Sequence, residues 1–228
     1  MPSSSMLISH TRSSSVTEFP PSPPPERYRL ASLDKTSVNP LEKPVVAVIG
    51  TGYVGSNLVK VFAEAGIDVI AHDISEPSLK NLQAQSSTLK NIRYSSAPFV
   101  ITPATHILIA VPTTLLPDMK TIDTSFIQAA LCTVVNHARR GATVVIESSV
   151  AVGTTRKLLA PFMQLHGFLG GMSPERIDPG RSFPTYEDTP KIISGLDERS
   201  LQSIEKLYSK VFQNLVPLSS PEAAEMTK

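Results

Sequence analysis

The stretch VVAVIGTGYVGSNLVKVFAEAGIDVIAHDIS, residues 45–75, decides the fold. It opens on five consecutive apolar residues, 45–49, a run that suits a strand buried on both faces. Gly50, Gly52 and Gly55 follow directly as G-x-G-x-x-G. Apolar residues at helical spacing then predict a helix over 54–65, and a second strand over 69–72 leads to Asp73, 23 residues after Gly50. Strand, glycine turn, helix, strand and acid together form the unit that holds a dinucleotide. Gly50 permits the tight turn, Gly52 leaves room for a pyrophosphate against the backbone, and Gly55 lets the helix pack on the strand. The N-terminal end of the helix, where Tyr53 and Val54 lie, attracts the phosphates through its N–H groups and dipole. Asp73 is placed to accept hydrogen bonds from the adenosine ribose diol, and its charge disfavours a 2′-phosphate, so the cofactor expected is NAD rather than NADP. A flavin, or a glycine turn that binds nothing, are the alternatives at this point.

The rest of the chain continues the alternation. Strands are predicted over 107–111, 143–146, 169–172, 191–194 and 215–217, and helices over 77–85, 124–137, 154–164 and 198–211. Short β-branched runs alternating with amphipathic stretches imply an α/β doubly wound, mostly parallel sheet of the Rossmann type. Residues 1–43 differ: serine and proline dominate, and such a segment buries too little apolar surface to offset its ordering entropy. They are expected to form a disordered tail, with a proline-recognition ligand as the functional alternative.

The bulk numbers narrow the partners. A net charge of +1 over 228 residues gives no field that would attract nucleic acid or a membrane surface. No apolar run reaches the roughly 18–20 residues that span a bilayer, and the N-terminus lacks the apolar core of a signal peptide. A cytoplasmic location is expected. The single cysteine, Cys132, excludes an internal disulfide and reads as a buried small hydrophobe inside the helix over 124–137. The five histidines show no metal-ligand spacing, so no metal is expected.

Five stretches in order carry a family resemblance. VIGTGYVG (48–55), ILIAVPTTLLPDMKTIDTSFIQAA (107–130), GATVVIESSVAVGTT (141–155), MSPERIDPG (172–180) and LYSKVFQNLVPLSSPEAAEMTK (207–228) together resemble the first domain of the UDP-glucose/GDP-mannose dehydrogenases, the nucleotide-sugar 6-dehydrogenases. The Ser-Pro-Glu-Arg form of the fourth stretch is similar to members acting on UDP-N-acetylhexosamines. The resemblance implies oxidation of the sugar C6 alcohol to a carboxylate with two NAD molecules, through an aldehyde held on a cysteine and a thioester opened by water. It implies cofactor contacts from Val111, Pro112, Thr113 and Ser149. It implies a hydroxyl for the hydrolytic water at Ser149, a base at Glu175, and an oxyanion-stabilising ammonium at Lys228, with Glu147 near the nicotinamide.

Without the resemblance, Thr113 and Ser149 are turn caps, Glu175 is a solvated loop acid or a helix N-terminal charge, and Lys228 is a solvated terminal lysine. The organisation expected is a tail (1–43), an NAD-binding domain (44–220) and the truncated start of the central dimerisation helix (221–228). The family's cysteine, its asparagine and its second domain lie beyond the matched stretch. The chain alone is therefore expected to bind NAD weakly and not to complete the oxidation of a UDP-sugar. The family forms homo-oligomers; a monomer stays open for this chain. Pro77 stands where many members carry a basic residue, with Lys80 a doubtful replacement. The alternatives are a non-catalytic NAD-binding or partner-binding protein, and a β-hydroxyacid-type dehydrogenase, against which the 172–180 stretch argues.

Overall fold

The computed structural model describes residues 43–175 and 189–228. The expected tail up to residue 42 and the 176–180 part of the fourth stretch lie outside them. The elements run β1 (Val45–Ile49), α1 (Tyr53–Glu64), β2 (Asp68–His72), α2 (Glu76–Gln85), β3 (Ile92–Ser95), a 3-10 turn (Pro98–Ile101) and β4 (His106–Ile109). Then come β5 (Thr114–Leu115), β6 (Ile122–Asp123), α3 (Ser125–His137), β7 (Thr143–Ile146) and α4 (Thr154–His166). The last are β8 (Leu169–Met172), β9 (Lys191–Gly195), α5 (Glu198–Tyr208), β10 (Leu215–Leu218) and α6 (Pro221–Glu225).

Eight strands form one sheet in the order β10-β9-β8-β7-β4-β1-β2-β3. All pair in parallel except β8 with β9, where Met172 faces Ser194 in an antiparallel register. The α/β doubly wound reading holds, with a parallel block from β3 to β8 and an added pair that runs the other way. β1 pairs with β2 on one side and β4 on the other, so the chain's path reverses between β1 and β4. A crevice at the carboxyl ends of those two strands is where this topology binds ligands.

The alternation of side chains along the central strands feeds two cores. Val46, Val48, Leu108 and Val145 pack with Leu58 and Phe62 of α1 and Ile204, Leu207 and Tyr208 of α5. Ala47, Ile49, Ile107, Ile109, Val144 and Ile146 pack on the other face with Ile127 and Leu131 of α3 and Leu159 of α4. That is why these strands read as unbroken apolar runs. The edge strand β3, IRYS, is only half buried and carries Arg93 and Ser95, so it has no such run and escaped sequence reading. The β5–β6 hairpin is too short to leave a pattern. β4 ends at Ile109, two residues earlier than predicted, because Val111–Thr113 turns out of the sheet.

Cys132 corrects another expectation. It lies on the exposed face of α3, whose core face is carried by Ile127, Leu131 and Val134. Among the described residues no helix is long and apolar enough to cross a membrane.

Candidate cofactor site

A cavity of about 210 Å³ opens at the carboxyl ends of β1, β4 and β7. Ten of the residues singled out from sequence line it, Glu147 among them. Gly52, Tyr53 and Val54 form the start of α1; Val111, Pro112 and Thr113 form the turn after β4; Ser149, Glu175 and Lys228 complete the wall. Gly50, Gly55 and Asp73 stand behind this lining and shape it.

The glycine turn is built by backbone contact. Gly50 has φ +92°, and a Cβ there would come 2.7 Å from the Ala110 carbonyl oxygen of the neighbouring chain segment. A Cβ at Gly55 would lie 1.8 Å from the Gly50 carbonyl oxygen, which fixes the close packing of α1 on the turn. Gly52 is different. A Cβ there meets no protein atom within 4 Å, and its φ of −67° is ordinary. Nothing in the protein demands glycine at 52; the space it leaves belongs to the cavity. Gly52 is also the N-cap of α1 and offers no side-chain cap, so the helix's positive end faces the cavity undressed.

Asp73 directly follows β2 and holds the turn from the side. One carboxylate oxygen accepts from the Thr51 N–H at 2.6 Å and the Thr51 hydroxyl at 2.9 Å; the other accepts from the Ser75 N–H at 2.8 Å. Thr51 was not singled out from sequence, since the middle residue of G-x-G carries no signal of its own. Pro77 occupies the first turn of α2, where its missing N–H costs nothing, and Ser75 caps that helix. This arrangement fits a dinucleotide: an uncapped helix end, a turn with room above it, and an acid beside the second strand.

The opposite wall is a buried charged cluster. Beyond β7, Glu147, Ser148 and Ser149 continue the strand's line. The Ser148 hydroxyl donates to the Val111 carbonyl at 2.6 Å and pins the Val111–Thr113 turn. Glu147 is fully buried. Its carboxylate accepts from the Lys191 ammonium at 2.7 Å and from the Tyr208 hydroxyl. The same ammonium reaches the Glu175 carboxylate at 3.3 Å. Glu175 is brought there by its own backbone, whose N–H reaches the Glu147 carbonyl at 3.4 Å. It is a buried, ion-paired acid, which the solvated-loop alternative did not anticipate.

Burial raises the pKa of Glu147, while Lys191 opposes the rise. Burial alone would lower that of Lys191, but the two carboxylates outweigh it and raise it. Tyr208 is pushed well above its ordinary value by burial and by the Glu147 charge, and stays a donor.

Lys228 lies beside this cluster because α6 is tied down. Glu225, buried, accepts from the Gly153 N–H at 2.6 Å and the Thr155 N–H at 2.7 Å, capping α4 from outside. Arg156 meets Glu222 in a two-pronged pair of 2.6 and 3.1 Å. With Ser220 as its N-cap, five residues of helix have the tertiary support that so short a helix needs. The Lys228 ammonium then donates to the Glu175 carbonyl oxygen. The sequence did not single out Lys191, Tyr208 or Glu225, which sit far along the chain in unremarkable helical or strand context; Tyr208 and Glu225 lay within the 207–228 stretch without a signal of their own.

Comparison with known proteins agrees with this geometry. The family profile described as "UDP-glucose/GDP-mannose dehydrogenase family, NAD binding domain" matches residues 45–95 and 73–212. The UDP-N-acetyl-D-mannosamine dehydrogenase of Pyrococcus horikoshii is 29% identical over 204 residues, covering 80% of this chain and 48% of that protein. Protein CapL of Staphylococcus aureus is 32% identical over 201 residues, covering 80% and 47%. The solved structure of the UDP-D-ManNAc dehydrogenase from Pyrococcus horikoshii superposes with a TM-score of 0.73 at 28% identity, over 81% of this chain and 49% of that one. The chain thus spans about half the length of the curated relatives it matches. With its glycine turn and the family profile matched from residue 45 to 212, the chain belongs to the UDP-glucose/GDP-mannose dehydrogenase family, whose NAD-binding domain it carries.

Proposed function

We propose that this chain is the cofactor-binding half of a nucleotide-sugar 6-dehydrogenase acting on a UDP-N-acetylhexosamine. One observation carries the reading: residues as distant as Gly52, Thr113, Ser149, Glu175 and Lys228 line a single cavity at the sheet's carboxyl edge. The names of the relatives, UDP-N-acetyl-D-mannosamine dehydrogenase among them, support the substrate class.

NAD, when bound, supplies the hydride acceptor for oxidation at the sugar C6. The start of α1 would hold its pyrophosphate and Asp73 its adenosine ribose diol. Val111–Thr113 would border the nicotinamide side, held in place by Ser148. Ser149 would hold the hydrolytic water through its hydroxyl, Glu175 would take that water's proton, and the Lys228 ammonium would face the developing oxyanion. Cys132, on the exposed side of α3, is outside the cavity lining and has no part in these steps.

The test is a fluorescence titration of the chain with NADH and NADPH, with and without Asp73→Asn. NADH binds the unmodified chain in preference to NADPH. The substitution weakens NADH by about tenfold or more, near 1.4 kcal/mol, and narrows the gap between the two. A chain that binds neither nucleotide, or prefers NADPH, refutes the cofactor role. Binding without oxidation of UDP-N-acetyl-D-mannosamine is the result expected of the cofactor-binding half alone; oxidation by this chain alone overturns that part of the reading.

A further inference from the structure

The cluster behind the cavity contains more than the proposed chemistry uses. The Tyr208 hydroxyl donates to the Glu147 carboxylate, and the Lys191 ammonium donates to Glu147 at 2.7 Å and to Glu175 at 3.3 Å, so the four groups form one series. Four separate elements deliver these groups: α5, the end of β7, the start of β9 and the segment after β8. The back of the series is closely packed. Tyr208 is fully buried, stacks on Phe212 with ring centroids 5.7 Å apart and meets Phe62 edge-on at 5.7 Å. The Lys191 ammonium also sits 5.7 Å above the Phe212 ring. As structural glue this is a poor choice, because apolar residues of similar volume usually hold a core as well as a buried ion pair does. Its front end, however, is the side chain read above as the base.

We infer that Lys191 is a positioning residue for Glu175: anchored by Glu147 and Tyr208, its ammonium sets the place and the charge of the Glu175 carboxylate at the cavity wall. The inference rests on the base role proposed for Glu175. Two carboxylates share one ammonium, and Glu147 holds it more closely than Glu175 does. The charge on Glu147 therefore tunes the proton affinity of Glu175 through Lys191. The charged and titratable groups around Glu175 include Lys191, Glu147, Tyr208 and Lys228. Lys228 addresses the backbone carbonyl of Glu175, not its carboxylate, so its ammonium is not what ties down the acid's side chain.

The geometry makes two substitutions act in opposite directions, which a loss of structure alone would not do. The readout is the carboxyl carbon of Glu175 in chain labelled with ¹³C-glutamate, followed by NMR against pH and assigned through Glu175→Gln. Lys191→Met removes the cation and moves the Glu175 midpoint up by about one pH unit or more. Glu147→Gln keeps a hydrogen-bonding shape but removes the competing charge, and the midpoint moves down. Lys191→Arg restores the cation and returns the midpoint toward that of the unmodified chain. If Lys191→Met fails to fold, Glu147→Gln decides alone. A midpoint that is the same in all variants, that rises in Glu147→Gln, or that follows Lys191→Met in Lys191→Arg overturns the inference. NADH titration of the unmodified chain is run alongside: its failure removes the cofactor role while the Lys191–Glu175 coupling is still read, and the converse outcome removes only the coupling.

Discussion

Replacing Glu225 with alanine tests how the Lys228 end of the cavity is held. Glu225 belongs to the short helix α6, yet its buried carboxylate serves another element. It takes up the N–H groups of Gly153 and Thr155 at 2.6 and 2.7 Å, at the start of α4. The N-cap of α4 is Gly153 in a left-handed conformation, with no side-chain cap of its own. Removing the carboxylate leaves two backbone donors at a helix end without an acceptor. Hydrogen bonds to a charged group contribute about 1.5–3 kcal/mol each, and loss of an N-cap costs about 0.5–2 kcal/mol. Water entering the vacated space recovers part of this, so the expected net loss is about 3 kcal/mol. For a domain of this size that lowers Tm by about 6–12 °C.

The loss has a location. Arg156–Glu222, an exposed pair, contributes about 1 kcal/mol or less and cannot hold α6 by itself. Hydrogen exchange should therefore rise in residues 221–228 and in the first turn of α4, while β1, α1 and β2 keep their protection. NADH affinity should change little, since the glycine turn is untouched. Chemical denaturation with exchange mass spectrometry checks this. A stability loss below about 0.5 kcal/mol, or faster exchange spread evenly over the sheet, refutes the view of Glu225 as an outside cap.

The glycine turn and the far edge of the sheet supply the other predictions. Gly55→Ala places a methyl 1.8 Å from the Gly50 carbonyl oxygen and should cost about 3 kcal/mol or more, seen by denaturant melts. Gly52→Ala meets no protein atom; it should leave stability within about 1 kcal/mol and lower NADH affinity by about tenfold, because the methyl enters the cofactor's space. His106, packed under α5 near Lys206 and Arg139, has its pKa pushed down to about 4, chiefly by burial. Its neutral form stabilises the fold above the unfolded value of 6.5, and that contribution is lost as pH falls from there toward about 4. Between about pH 7 and pH 5 this amounts to about 2 kcal/mol, and denaturation of His106→Gln across the same range should lack that part of the slope.

The sheet and the cofactor turn were legible because their signals are local. Buried parallel strands must be apolar on both faces, so 45–49 and 143–146 announce themselves, and a turn pressed against its own helix must be glycine at 50 and 55. The half-buried IRYS edge strand and the β5–β6 hairpin had no comparable constraint. Cys132 was misplaced because helical spacing does not by itself say which side of a helix meets the core. Leu131 and its neighbours at core spacing decide that only once α3 is laid on the sheet.

The residues themselves determined the α/β order, the glycine turn and the acid after the second strand, since each is a requirement on a short piece of chain. Tertiary structure alone decided what faces the cavity from behind. β9 runs antiparallel to β8, so its first residue, Lys191, arrives at the edge where the parallel strands end. There it meets Glu147 and Glu175, 44 and 16 residues away along the chain. No sequence period encodes that meeting. The direction of one strand in the assembled sheet sets it, together with the need of two buried carboxylates for a shared cation.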